Sequence, residues 1–306
     1  MRPAPVLRAL LHSRSGSAGI FLVGLLVLSA LVSLVWTPYD PTLARPQDGW
    51  LLPFSGGHVL GTDRLGRDEL SQLLAGARAT LLTAALSAAV AAVVGLALAL
   101  TAVLVPRWIG AAVVQLTDVL IAFPVLLIAM ILTAVYGGST WTVVGAVGIG
   151  AGVNLARVAR AEAGRVLNTD YVLAAHAAGS GTWRTVRKHL LPNIAPTLVV
   201  QLSLVLSVAV LAEAALSFLG FGAPAPSVSW GRMLHEQQQY IAARPLLVIW
   251  PGLAVAASVL GFNLLGDGLR EAADARLRVR VVADTAAGVR VASDAADARH
   301  QVREAS

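Results

Sequence analysis

Few side chains in this chain have the types and spacings that bond-making chemistry requires. Lysine occurs once, at Lys188, and His189 follows it. A P-loop needs Gly-Lys-Ser/Thr to cradle nucleotide phosphates, so an ordinary Walker A site is excluded. The six histidines are scattered, with no HxxxH or HExxH pair, and no metal site is expected. Cysteine is absent, which removes disulfide frameworks and thiolate ligands together. With no GxSxG elbow and no Ser/His/Asp set, no catalytic residue is assigned. What remains is a few polar groups set in apolar sequence. Glu213 lies deep in such a run, and an intramembrane carboxylate is costly enough to demand a polar environment. It could face a cargo's amino group, a gate, a neighbouring subunit or another packed helix. Asn263 and Asp267, near the end of the last apolar run, carry the same alternatives.

The apolar runs themselves dominate. With 57% hydrophobic and 13% charged residues, the composition is that of an integral membrane protein. The basic excess is nearly all arginine, which in such a chain is loop charge and not a nucleic-acid surface. Six spans are expected, over about 18–36, 80–105, 113–135, 141–156, 197–219 and 245–266. The uncharged stretch 119–156 exceeds one comfortable span, and Tyr136-Gly137-Gly138-Ser139 supplies a turn within it. Run 18–36 shows no convincing cleavage site after it and is read as a retained helix. Ser87, Ala91, Gly95 and Ala99 recur every fourth residue and let another helix approach closely; Gly148 and Gly152 add a GxxxG pair. Six spans put both termini on one side, with 17 Lys/Arg there and 6 opposite, so the positive-inside rule places the termini in the cytoplasm.

Two polar loops are unusually well punctuated. The first, 168–196, reads NTDYVLAAHAAGSGTWRTVRKHLLPNIAP. Thr169 or Asp170 can cap a helix that places Tyr171, Ala174, Ala175 and Ala178 on one face. Gly179 and Gly181 stop it. Thr182 can cap a second helix with an apolar stripe of Trp183, Val186 and Leu190 and a basic one of Arg184, Arg187 and Lys188, ended or kinked at Pro192. Two short helices on a glycine elbow, projecting from a membrane, suit docking to a soluble partner. The second loop contains Gly61-Thr62-Asp63-Arg64-Leu65-Gly66-Arg67-Asp68. Gly61 and Gly66 allow tight turns there, and the four charges can pair to brace a compact outer structure.

These loops carry a resemblance. Ala174-Ala175, Gly179 and Leu191-Pro192 fall in the register of the EAA loop of ATP-binding-cassette (ABC) importer permeases, with Leu173 at the place of the name-giving glutamate and His189 at that of an isoleucine. Tyr171-Val172 and the run 188–193 resemble the dipeptide/oligopeptide/nickel branch; His176 replaces a residue usually basic there. The segment 61–68 is similar to the GTDxLGRD segment of that branch's C-type subunits, and Ser229-Trp230-Gly231, 213–220 and 262–270 follow its pattern. Asp118 also has a counterpart, but Gln115 stands where an arginine commonly precedes it.

The resemblance implies an all-α membrane protein with six transmembrane helices and a cytoplasmic coupling loop, the type I ABC importer permease fold. It implies a cytoplasmic segment 1–17, a first transmembrane helix 18–36, an extracytoplasmic excursion 37–79 and a permease core 80–281 with an outer loop 220–244. Residues 282–306 read as a disordered cytoplasmic tail. The implied function is ATP-driven import of di- or oligopeptides through the inner membrane. Expected partners are a second homologous permease, two ATPase subunits or a fused pair holding ATP and Mg, an extracytoplasmic binding protein, and lipid. Tyr171, Ala174, Ala175, His176, Ala178, Gly179, Leu191 and Pro192 would contact an ATPase. Gly61, Asp63, Gly66, Arg67, Asp68 and Trp230 would shape the outer face. The alternative is a secondary transporter or channel needing no ATPase, which would show broken helices, an inverted repeat and paired intramembrane charges. No clear repeat is visible.

Overall fold

The computed structural model describes residues 10–273, so the first residues of the expected cytoplasmic segment and the whole 282–306 tail lie outside the described residues. Among the described residues there is no strand, only two isolated bridges, Ser55–His58 and Thr62–Asp68, both in the first outer loop. Helix α1 covers Arg14–Val35 and is opened by Ser13, whose hydroxyl accepts the Gly16 amide. Helix α2 covers Glu69–Leu104, not 80–105 as the apolar run alone predicts. Its start is set by Asp68, which accepts the Ser71 N–H at 2.8 Å. At 36 residues it is about 54 Å long, against roughly 30 Å of hydrocarbon core. Its polar first turns therefore rise out of the bilayer.

The expected third span is not one helix. Helix α3, Arg107–Ile121, and helix α4, Val125–Tyr136, meet at 82°. Pro124 disfavours helical backbone at Phe123 and has no N–H to continue the ladder, so α3 closes with the Ala122 and Phe123 amides bonded to Val119 and Leu120 oxygens. Helix α5 covers Thr140–Leu167 and runs well past the expected end at 156. Helix α6 covers Asp170–Ala177. Helix α7 covers Thr182–Phe218 without a stop at Pro192. A π turn over Val186–Leu190 precedes that proline, with the Leu191 amide reaching back to Val186 O, so the register shifts where the proline removes a donor. Helices α8, Trp230–Gln237, and α9, Pro245–Ala273, complete the chain.

Five helices (α1, α2, α5, α7, α9) are long and apolar enough to cross a membrane, and the bent α3–α4 pair brings the number to six if it counts as one span. The bundle is organised around α2 and α5. A Cβ added at Gly148 would lie 2.7 Å from Val90, one at Gly152 3.0 Å from Val94, and one at Gly95 2.8 Å from the Gly152 oxygen. The two small-residue rows read separately from the sequence therefore face each other, and any side chain there would force the helices apart. Helix α9 is wedged between α1 and α7: Gly19 lies against the Leu264–Leu265 backbone, and Ser207 donates to Val259 O at 3.3 Å. Ala84, Val147, Val210, Leu216 and Phe262 form the buried centre.

Candidate functional site

On the side where α5 ends, α6 and the start of α7 build a projecting element. Val172, Val186, Leu190 and Ile194 are fully or almost fully buried against Ala163 and Val166 of α5. This apolar key fixes both short helices to the bundle. Thr169 holds the cap position of α6, its carbonyl accepting the Val172 and Leu173 amides, while its hydroxyl donates back to Val166 O at 2.6 Å. The elbow is built on Gly179, at φ +83°, with the Ala178 amide on Ala174 O and the Ser180 amide on Ala175 O, each at 3.0 Å. That left-handed residue closes the helix as glycine does after a C-cap. Gly181 has an ordinary φ of −67° and itself occupies the cap position before α7, so Thr182 is the first helical residue and not the cap.

The face turned away from the bundle carries Tyr171, Leu173 and Ala174, with Ala178 and Gly179. Ala175 is half-buried, and His176 lies in α6 between it and Ala177. The expected stripe of Trp183, Val186 and Leu190 is divided. Val186 and Leu190 point inward, while Trp183 is 73% exposed beside exposed Arg184, Arg187 and Lys188. Leu191 is half-buried and Pro192 exposed. Tyr171 also latches α6 to α7, since Asn193 Nδ2 donates to its hydroxyl at 3.1 Å. The assembly is a stiff helix–elbow–helix presenting apolar and basic groups outward.

At the other end, the segment 61–68 does brace itself, through one of the expected pairs, Asp63 with Arg67, while Asp68 and Arg64 pair with neither of the others. Asp63 accepts the Leu65 and Arg67 amides, Arg67 Nε at 2.6 Å and Gln72 Nε2 at 3.3 Å. Asp68 pairs with buried His58 at 2.8 Å while it caps α2. Arg64 is exposed and has no ion-pair partner among the described residues. Gly61 and Gly66 have φ of +83° and +71°, and a Cβ on Gly66 would collide with Arg45 O. Arg67 also reaches across to Glu236 of α8, which accepts Arg232 Nε at 2.7 Å. Burial by itself would raise the Glu236 carboxyl and lower Arg67; the mutual bonds outweigh it, so Glu236 sits below the usual carboxylate range and Arg67 above the usual arginine value. Beneath this, Gln237 Nε2 donates to Glu69 Oε2 at 3.0 Å. Trp230 is no surface residue: it is buried over Gly76, and its indole N–H donates to Leu73 O at 2.9 Å. Glu69, Arg232, Glu236 and Gln237 were missed from sequence. The one available signal was the i,i+4 pairing of Arg232 with Glu236.

Glu213 is buried within α7 and accepts Ser217 Oγ at 2.8 Å, with Thr80 Oγ1 of α2 at 3.5 Å. Asn263 is half-buried and Asp267 exposed on α9, and neither hydrogen-bonds to Glu213. The partner of Asp118 comes from α5: Arg157 Nη2 lies 3.1 Å away, so the place of Gln115 leaves no charge uncompensated. Among the described residues no three His, Cys, Asp or Glu side chains converge as a metal site.

Comparison with known proteins places this arrangement. Residues 72–279 match the family described as binding-protein-dependent transport system inner membrane component. The di/tripeptide transport system permease protein DppC of Pseudomonas aeruginosa is 38% identical over 273 residues, which cover 87% of this chain and 90% of that protein. The glutathione transport system permease protein GsiD of Pectobacterium atrosepticum is 35% identical, covering 86% and 87%. The nickel transport system permease protein NikC of Escherichia coli is 34% identical, covering 84% and 93%. Among solved structures, the inward-facing MetNI methionine ABC transporter shares the fold, with a TM-score of 0.55 at 19% identity over 66% of this chain and 96% of that one. With its helical bundle, its keyed helix–elbow–helix and its sequence matched over 72–279, the chain belongs to the binding-protein-dependent transport system inner membrane components, as a permease subunit of the peptide, nickel and glutathione ABC importer group.

Proposed function

We propose that this permease works in the cytoplasmic membrane with a second, homologous permease and two ATPase subunits, separate or fused, importing di- or oligopeptides handed over by an extracytoplasmic binding protein. Both termini and the 168–196 loop face the cytoplasm; the 61–68 and 230–240 bracket faces outward. The observation that carries the reading is the α6–α7 element, whose buried face is locked to α5 while Tyr171, Leu173 and Trp183 are left bare. ATP and Mg belong to the partner subunits. Closure of the ATPases around ATP moves α6, and because Val172, Val186 and Leu190 are keyed into the bundle, the motion passes to α5 and α7 as one rigid shift between inward- and outward-facing states. Glu213, bonded to Ser217 and within reach of Thr80, holds α7 to α2 on the way; Asn263 and Asp267 remain candidates for the pathway. Peptide is preferred to nickel because the sequence offers no clustered metal ligands.

The bend between α3 and α4 and the Arg157–Asp118 pair are features a secondary transporter would share, and family membership outweighs them. Reconstitution tests the reading. The purified chain alone should neither bind nor hydrolyse ATP, whereas the four-subunit complex should hydrolyse it faster when loaded binding protein is added. Specific turnover by the isolated chain would refute the subunit assignment.

A further inference from the structure

The exposed face of α3 is divided lengthwise. One edge carries Ala111, Gln115, Asp118 and Ala122, the other Ala112, Leu116, Val119 and Phe123. Spacings of three and four keep each set on its own line of the helix. Helix α5 is divided along its length instead. Between the α4–α5 turn and Gly150, which Val125 of α4 covers, Trp141 and Ile149 are exposed. Beyond Gly150 the exposed positions are Asn154, Arg157, Ala161 and Arg165, again three and four apart. The 3.1 Å bond between Asp118 and Arg157 joins the two polar lines into one strip, and both side chains remain 52% exposed. It is the single side-chain hydrogen bond of either residue among the described residues. Asp118 Oδ2 and the other N–H groups of Arg157 are left uncommitted.

The strip lies inside the bilayer. Exposed Tyr136 and Trp141 flank the α4–α5 turn and exposed Trp108 stands at the start of α3, aromatic residues of the kind that mark the two membrane surfaces. At 1.5 Å per residue, Arg157 is about 24 Å along α5 from Trp141, and Asp118 about 15 Å along α3 from Trp108. Half-exposed charges at that depth are costly against hydrocarbon, so they face water or protein. The lipid-facing sides of α1 and α7 show the contrast, with Leu25, Leu28, Val208 and Leu211 exposed. Water is favoured over a dry subunit contact because the strip reaches an open surface. Ala161 and Arg165 continue it past the end of the apolar run to the side of α6, where Arg165 pairs with Glu162.

We propose that this strip is a wall of the translocation pathway in the inner half of the bilayer, wetted from the cytoplasm, with Gln115, Asp118, Asn154 and Arg157 as the polar groups it offers to a hydrated cargo. The inference rests on the proposed function, which supplies the second permease as the opposite wall.

The chain has no cysteine, so single introduced thiols can be followed by the mass of this chain in the four-subunit complex, with co-purified ATPases as the check on assembly. A charged methanethiosulfonate reacts only where water reaches the thiol. In nanodiscs, Gln115→Cys and Asn154→Cys should react at least about tenfold faster than the lipid-side controls Leu116→Cys and Val208→Cys. After reconstitution into proteoliposomes, the charged adduct at either strip position should cut transport at least about tenfold relative to the equally treated complex with the unaltered chain. Equal rates at all four positions in fully assembled complexes overturn the proposal, since the strip is then no wetter than the lipid side. So does fast reaction that leaves transport intact, which makes the strip a wet crevice off the path. The permease reading is checked separately, by hydrolysis that loaded binding protein stimulates in the complex with the unaltered chain. If that stimulation is absent, the reading falls and the strip with it; if it is present and the thiols stay unreactive, the strip alone falls.

Discussion

At the scale of single residues, backbone conformation separates two glycines that look alike in the sequence. Gly179 has φ +83°, and a Cβ built there meets nothing within 4 Å, so the chain itself leaves room for a side chain. The obstacle is the backbone: a β-branched residue in the left-handed region costs about 1–2 kcal/mol. Gly181, at φ −67° and equally uncrowded, carries no such penalty. Gly179→Val should therefore distort the end of α6 and reduce ATPase co-purification by about five- to thirtyfold, the ratio that energy corresponds to. Gly181→Val should remain near wild type. Membrane insertion should be normal in both, because neither position packs against the bundle. The readout is ATPase recovered per permease; equal recovery from the two variants would show that the elbow's geometry is irrelevant to docking.

At the scale of elements, legibility followed locality. The elbow at Gly179, the close rows 87–99 and 148–152 and the bracing of 61–68 could be read because each depends on neighbouring residues or on one helix period. The π turn at Val186–Leu190 and the inward turn of Trp230 could not, since both depend on what packs against them from elsewhere. Trp183 failed for a related reason: its spacing to Val186 and Leu190 suits a buried stripe, but only Val186 and Leu190 turn against α5 while Trp183 stays 73% exposed. The break between α3 and α4 does have a local signal, since Pro124 lies within the apolar run.

The bracket between α8 and the first outer loop makes a pH prediction at the same scale. Glu236 is held below the ordinary carboxylate range by Arg67 and Arg232 despite burial. A depressed carboxyl adds stability above its unfolded pKa, and this is lost only as pH falls through the lower folded value. Amide protection over 230–240, corrected for intrinsic exchange, should thus stay level from neutral pH to about 5 and decline below about 4, the unfolded glutamate range. Glu236→Gln should lower protection at neutral pH and flatten the profile. A fall between neutrality and pH 5 in the wild type would assign the bracket to another group.

At the scale of the whole molecule, orientation links the two ends into one machine. The proposed six-span topology assigns 17 of the 23 lysines and arginines to the side of the α6–α7 element and 6 to the side of the bracket. By the positive-inside rule that asymmetry predicts a cytoplasmic α6–α7 element. Helices α2 and α5, interlocked through Gly95, Gly148 and Gly152, then run from one surface to the other as a single rigid spine. Such a spine can carry a displacement of α6 to the outer loops only if those loops lie across the membrane from it. Because the chain has no cysteine, single introduced thiols report sidedness without background. Gln239→Cys, on an exposed position of the bracket, should react with an impermeant maleimide in intact spheroplasts. Trp183→Cys, 73% exposed in the native residue, should react only after the membrane is opened. Labelling of Trp183→Cys in sealed spheroplasts would invert the topology and detach the α6–α7 element from any cytoplasmic ATPase. Labelling of both from outside would mean that α2 and α5 do not cross as a pair.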